Sequence, residues 1–313
     1  MRLAVAEPAP VASRRARFQR DMHAAQARLS TLAAWTATPG GQIRTPAGEL
    51  CLAVRGEGYP VLISHGAMGG FDRALELGEQ HLGPGYQVLA PSRYGYPGSS
   101  MPPAATPASQ ATAFVTLLDH MKIDRAAVIA HGTGGVAAVQ MALRYPDRLS
   151  ALVLVAALIG ETELRWPFKP LLRRVVRSNF LFWLLMNPSD GPGRHRFTQR
   201  GYIPGAYETG ELASALLGFL PVRSRRAGAL FDIYVSNPDP IHHPNSYRLE
   251  ELDVPALCIY ARDDPLIAYA DARIMHERLY DARLVTVPAG GHLMLGHGGL
   301  LRAEIDTFIQ AHA

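Results

Sequence analysis

Residues 126–135 read AAVIAHGTGG, a β-branched apolar run that gives way to small residues, with Gly132 at the apex of the turn. A strand that turns sharply into a helix lifts one side chain onto the helix N-terminus, and the pattern Gly-x-Ser-x-Gly uses that geometry to expose a nucleophile. Here Ala130, Gly134 and Gly135 supply the small neighbours, His131 and Thr133 fill the two x positions, and glycine stands where the nucleophile would be. Taken alone, such a turn fits a phosphate cradle or a plain loop closure equally well.

Three further segments narrow the choice. YPVLISHGAMGGFD, Tyr59 to Asp72, reads as a buried strand feeding a glycine-rich loop. Placed beside the turn, that loop aims the Ala67 N–H at the same point as the Thr133 N–H, and two such donors stabilise an oxyanion. Met68 follows as a substrate contact, while His65 reads as a structural residue that hydrogen-bonds its own loop. VPALCIYARDDPLIAYADARIMHERL, Val254 to Leu279, ends a strand in two aspartates. An acid there can orient a histidine. Asp264, directly before Pro265-Leu266-Ile267, is the candidate, and Asp263 is expected to be exposed or paired with Arg262. ARLVTVPAGGHLMLGH then gives a strand and a Gly-Gly-His loop, with His292 as the candidate base and His297 expected at the start of the final helix in a capping or solvent-facing role.

The chain order is therefore nucleophile position 132, acid 264, base 292. On these motifs the sequence resembles the α/β-hydrolase superfamily over roughly residues 42–160 and 250–313. It resembles most closely the esterase and lactonase branch, which carries HGAxGGFD at the oxyanion loop and PSRxGYxGS after the next strand, here Pro91 to Ser99. Branches with an aspartate nucleophile usually follow it with tryptophan. This chain has Thr133-Gly134-Gly135 instead, so the residue that Gly132 replaces is read as serine. The resemblance implies that His292 would take the serine proton, Asp264 would hold its imidazole, and Ala67 and Thr133 would receive the oxyanion of an ester or lactone.

Glycine removes the attacking atom and leaves the rest. Losing a triad member can cost on the order of 10⁶ in rate, with about 10³–10⁴ over water remaining. The expectation is a serine-type hydrolase in an inactivated, substrate-trapping form. Two rivals stay open. One is a non-hydrolytic enzyme of lyase or hydration type that uses His292 and Asp264 as a general base; the other is a catalytically inactive small-molecule binder on the same fold.

Composition limits the alternatives. A chain of 313 residues with 48% apolar content can bury one large α/β core plus an insertion. Cys51 and Cys258 fall in expected core strands and read as buried hydrophobes, not half-cystines. No metal or cofactor motif occurs. No signal-type N-terminus or run of about 18–20 uncharged residues is present, which gives the expectation of a cytoplasmic protein without stable membrane insertion. The net charge of +4 rests on 29 Arg and 2 Lys, spread without aromatic interleaving, so nucleic acid is not an expected partner. Residues 161–230 carry a local surplus of six positive charges, read as a solvated face with an anionic substrate or a membrane surface as alternatives.

The motifs need elements to position them. Residues 1–40 read as a tail followed by an amphipathic helix from Ser13 to Trp35, expected to pack on the core or on a neighbouring subunit, which leaves a homodimer open. Residues 41–157 and 251–313 read as two parts of one α/β core: a hairpin near 42–46 and 50–55, then parallel strands near 60–64, 86–90, 126–130, 151–155, 256–260 and 283–287, with crossover helices between. Across residues 158–250 the βα rhythm stops, so a helical cap is expected. Its stretch NFLFWLLM, Asn179 to Met186, is apolar on every face. Phe180, Phe182, Trp183 and Met186 are therefore candidates to roof the site and select a lipophilic substrate.

Overall fold

Short runs that are apolar on both faces belong inside a parallel sheet covered by helices. The computed structural model describes residues 13–36, 41–157, 159, 173–187 and 205–313. It contains an eight-stranded sheet in the order β1-β2-β4-β3-β5-β6-β7-β8. Strands β1 (Gly41–Thr45) and β2 (Gly48–Arg55) form the antiparallel hairpin, and β2 also runs antiparallel to β4 (Tyr86–Pro91). The strands β3 (Tyr59–Ser64), β4, β5 (Ala126–His131), β6 (Leu149–Val155), β7 (Ala256–Ala261) and β8 (Ala282–Val287) are mutually parallel. All seven residues of β6 and the first five of β5 are buried, as their uninterrupted apolar character requires.

Helices α1 (Arg14–Ala33), α2 (Phe71–His81), α3 (Pro107–His120) and α4 (Gly134–Arg144) precede or link the first six strands. Their starts are written locally: Thr106 and Ser109 exchange side-chain and backbone hydrogen bonds ahead of α3, with Pro107 at its first position. The chain leaves β3 for β4 on one side and returns to β5 on the other. That reversal opens a crevice at the carboxyl ends of β3 and β5, the place where open α/β sheets bind ligands.

Between β6 and β7 the described residues form helices joined by turns and contain no strand: α5 (Asn179–Met186), α6 (Ala206–Gly218), and α7 (Arg226–Phe231), which runs into a π-helical turn, Asp232–Ser236. Helices α8 (Tyr269–Glu277) and α9 (Gly298–His312) complete the core. A second hydrophobic cluster joins α1 to this inserted segment through Met22, Phe182, Trp183, Leu216 and Phe219. Helix α1 is tied within the chain: Asp21 accepts the Trp183 indole N–H at 2.9 Å, and Arg28 reaches Asp72 of α2 at 3.1 Å. Both cysteines are buried and free. No helix among the described residues is long and apolar enough to cross a membrane.

The tail expected ahead of the helix, residues 1–12, and residues 160–172 and 188–204 of the expected cap lie outside the described residues.

Candidate active site

Strand β5 ends at His131 and α4 begins at Gly134, so only Gly132 and Thr133 make the turn. Gly132 has φ +47° and donates its N–H to the Val155 carbonyl at 3.0 Å. A Cβ built on Gly132 would stand 3.6 Å from His292 Nε2 and 3.8 Å from the Ala156 carbonyl oxygen, ordinary van der Waals distances. The neighbouring glycines differ. A Cβ on Gly134 would collide with the Ser64 and His65 carbonyl oxygens, and one on Gly135 would lie 2.6 Å from the Ala157 Cβ. Packing therefore demands glycine at 134 and 135. At 132 only the left-handed backbone favours it, and that conformation is the strain a nucleophile elbow carries.

Asp264 and His292 meet across the ends of β7 and β8, with His292 Nδ1 at 2.8 Å from Asp264 Oδ2. The other carboxylate oxygen accepts the N–H groups of Leu266 at 2.8 Å and Ile267 at 3.0 Å, which fixes the carboxylate plane. Burial of the Asp264 side chain at 1% exposure keeps water from competing for that bond. Asp263 does not pair with Arg262. Its two oxygens accept the N–H groups of Gly290 at 3.2 Å and Gly291 at 2.9 Å, pinning the turn that presents His292, while Arg262 lies 5.6 Å over the Tyr269 ring. His297 precedes α9 without a side-chain cap bond.

Ala67 and Thr133 both line the cavity in front of the elbow, and among the described residues neither N–H has a hydrogen-bond acceptor within the protein. The Met68 N–H is taken by the Tyr96 hydroxyl at 3.2 Å. His65 is fully buried and serves its loop: Nδ1 contacts the Gly66 carbonyl at 2.8 Å and Nε2 accepts the Arg93 N–H at 3.0 Å, a pairing that fixes the proton on Nδ1. Burial and the Arg93 charge hold its pKa well below the usual histidine value. Three residues other than glycine that adopt a left-handed backbone, Met68, Ala156 and Met294, also line the cavity. Such strain gathers at functional sites.

Behind Thr133 lies a buried charged network. Arg93 binds Asp232 of the inserted segment through both Nη atoms at 2.6 Å, and its Nη2 reaches Thr133 Oγ1 at 3.0 Å. Thr133 and Tyr96 each donate a hydroxyl to Asp232 Oδ2, at 3.0 and 2.5 Å. Burial lowers the Arg93 pKa and Asp232 more than restores it, so the guanidinium stays charged. The motif Pro91 to Ser99 is thereby accounted for, since it carries both Arg93 and Tyr96. Asp232 carries no sequence signal; its role arises only from the fold.

The cavity measures about 480 Å³. Its apolar walls include Met68, Phe219, Ile233 and Leu266. Phe182, Trp183 and Met186 are absent from those walls, and Phe180 is 43% exposed. Phe182 packs edge-on against Phe219, one layer behind the cavity surface, and Trp183 faces Phe18 and Asp21 of α1. The lipophilic roof assigned to α5 is corrected accordingly: α1 engages the apolar side chains of α5, and α6 supplies the wall. His131, read as a filler of the turn, and His81 at the end of α2 also face the cavity. Among the described residues no group of three or more His, Cys, Asp and Glu side chains is arranged to hold a metal ion.

Comparison with known proteins gives four findings. Residues 59–298 match the family described as alpha/beta hydrolase fold. A Bacillus subtilis protein named Uncharacterized hydrolase YcgS is 36% identical over 115 residues, 36% of this chain and 40% of that protein, so the chain spans about two fifths of that relative. Poly(3-hydroxyalkanoate) depolymerase of Ectopseudomonas oleovorans is 27% identical over 251 residues, 78% of this chain and 80% of that one. Among solved structures, the enol-lactonase from Burkholderia xenovorans has a TM-score of 0.64 at 19% identity, covering 86% of this chain and 98% of that chain, a likeness of fold.

Proposed function

From the premise that this chain belongs to the α/β-hydrolase family, we propose that its site is that of a serine-type hydrolase acting on an ester or lactone bond of a largely lipophilic small molecule, with Gly132 in the nucleophile's place. One observation carries the proposal: the open space above Gly132 faces His292 Nε2 at 3.6 Å, and the opposite ring nitrogen is held by Asp264 at 2.8 Å. A serine hydroxyl extends one bond beyond Cβ. It would come within hydrogen-bond reach of that imidazole, the relation a general base needs.

In the serine form His292 removes the hydroxyl proton as oxygen attacks the carbonyl carbon, and the oxyanion is received by the Ala67 and Thr133 N–H groups at the positive end of α4. His292 then returns the proton to the leaving alcohol, and water repeats the sequence on the acyl group. With glycine the first bond cannot form, so the chain binds its substrate and scarcely turns it over. The name of the depolymerase relative, whose substrate by that name is a polyester, supports the bond class. The second reading, His292 as a general base without a covalent step, draws on the same open space, where water or a substrate C–H could stand against Nε2.

The test compares this chain with Gly132→Ser on short and medium p-nitrophenyl esters and a lactone panel. The expected result is a gain of roughly 10³-fold or more in kcat/KM with serine. Equal, near-zero rates in both would overturn the hydrolase reading. A native turnover that His292→Ala abolishes in the unaltered chain would establish the second.

A further inference from the structure

Beside the elbow stand two imidazoles that the proposed reaction does not use. His81 Nε2 and His131 Nε2 are 2.7 Å apart, with their ring planes parallel within 7°. That separation requires one ring to donate its Nε2–H to the other's lone pair. Two neutral imidazoles hold two protons, so the second proton sits on the Nδ1 of the accepting ring. The pair thus presents one donor and one acceptor at its outer Nδ1 atoms, and exchanging tautomers swaps them. His81 is 4% exposed, its Nδ1 is a buried atom without a hydrogen-bond partner, and both residues line the cavity. With His81 Nε2–H as the donor, the buried His81 Nδ1 is the bare acceptor, and the Nδ1–H of the half-buried His131, which has no acceptor among the described residues, is the donor left to face the cavity.

The surrounding wall is electropositive. Arg302 of α9 lines the cavity and donates to carbonyls, Nη2 to Glu79 at 2.6 Å and Nε to Gln80 at 3.2 Å, so among the described residues no carboxylate cancels its charge. Arg73 lines the same wall but is paired with Glu76. His292 faces the pair from the β8 side; Glu211, from α6, lines the cavity and accepts the Gly296 N–H at 2.7 Å. Burial and Arg302 hold His81 down to about 4, and burial, His81, His292 and Arg73 hold His131 well below the usual value. Both rings are therefore neutral hydrogen-bonding groups in a positive field.

We propose that His81, His131 and Arg302 form a subsite for a carboxylate carried by the substrate a few atoms from the scissile bond. His131 immediately precedes Gly132, so an acidic oxygen on its Nδ1–H belongs to the same molecule that reaches the elbow. The proposal deepens the hydrolase reading and rests on it for the ester. The substrate is then amphipathic, apolar against Met68, Phe219 and Ile233 and acidic at the histidine pair.

The experiment uses binding to the unaltered chain, in which turnover does not interfere. Affinities for monomethyl glutarate and for its methyl-ketone analogue, the same ester with the carboxylate replaced, are measured by calorimetry and ligand-detected NMR. The expected result is a preference for the acid of about tenfold, consistent with a charge-assisted hydrogen bond. That ratio falls toward one in His131→Gln and in Arg302→Gln, and the imidazole signals of His81 and His131 move with the acid alone. Arg302 is exposed, so its variant keeps the test valid if His131→Gln does not fold. A ratio near one in the unaltered chain, or a ratio retained in both variants, overturns the subsite. The two readings fail separately: Gly132→Ser that hydrolyses neutral esters without preferring the acid leaves the hydrolase and removes the subsite, whereas an inactive Gly132→Ser chain with an intact binding ratio does the reverse.

Discussion

The two sides of the site are held by different physics. On the sheet side, Gly132, Asp264 and His292 sit on turns that follow β5, β7 and β8, and hydrogen bonds from backbone N–H groups fix those turns, such as Gly132 N–H to the Val155 carbonyl and Leu266 N–H to the Asp264 carboxylate. On the inserted side, two buried ion pairs of opposite polarity clamp the helices to the core: core Arg93 to inserted Asp232, and core Asp72 to inserted Arg225, whose Nη2 lies 2.6 Å from Asp72 Oδ2. Burial pushes the Asp72 carboxyl up, and Arg225, Arg28 and Arg73 together bring it below its ordinary value. The candidate catalytic side is thus positioned by local geometry, whereas the inserted side is positioned by long-range charge that must be complete to be tolerable.

The sharpest way to break this difference is to leave one charge of a clamp unpaired. Asp232→Ala strands a fully buried guanidinium and removes the partner of Thr133, and the expected loss is about 3–5 kcal/mol in denaturant unfolding. Arg93→Met combined with Asp232→Ala should recover much of that, because a desolvated pair contributes little net stability over apolar residues of similar volume. A single variant that loses less than about 1 kcal/mol would show that the clamp is dispensable.

A smaller effect separates the polar wall from the clamps by its pH dependence. The folded pKa of His81 is about 4 and its unfolded value about 6.5. Between these values the unfolded chain binds a proton that the folded chain does not. The contribution is present in full above the unfolded value and is lost as pH falls toward about 4, an interval worth about 3 kcal/mol. His65 and His131 are lowered in the same direction and add to the slope. Thermal unfolding at pH 7.5 and pH 5 should show a drop in Tm that is reduced in His81→Gln. An unchanged drop would assign the pH dependence to other groups.

What could be read from the sequence follows the same division. The strands were legible because runs such as AAVIA and ALVLV are apolar on both faces, and the eight-stranded α/β-hydrolase sheet has them within a few residues of the expected bounds. Asp264 and His292 were legible because each lies in the loop that follows a strand, β7 or β8, and the structure brings them together with Gly132. The inserted segment was not. An apolar eight-residue helix has no preferred face of its own, and the contacts of Phe182 and Trp183 are set by α1 and α6, far away in sequence. Asp232 and His81 carry no local pattern either. Each acquires its role from one partner, Arg93 or His131, that only the tertiary fold supplies.

Asp263 tests the local half at finest grain, because sequence alone favoured its neighbour and treated it as surface. Its carboxylate accepts two N–H groups from consecutive glycines, both with positive φ, 112° at Gly290 and 64° at Gly291. Without that acceptor the turn keeps only the Met294 and Leu295 N–H groups on the Gly291 and Gly290 carbonyls, both at 3.0 Å, and its glycine N–H groups lose the bonds that hold a conformation glycine leaves freely. Asp263→Ala should cost about 2 kcal/mol, the range for hydrogen bonds to a charged group. In a Gly132→Ser background, if that chain hydrolyses esters, kcat should fall more than KM rises, since the imbalance falls on the imidazole and not on the substrate wall. Arg262→Ala, which removes only a guanidinium lying over Tyr269, should change stability by no more than about 0.5–1 kcal/mol. Equal effects of the two substitutions would mean that the Gly290-Gly291 turn holds itself, and that the position of His292 owes nothing to the acid beside Asp264.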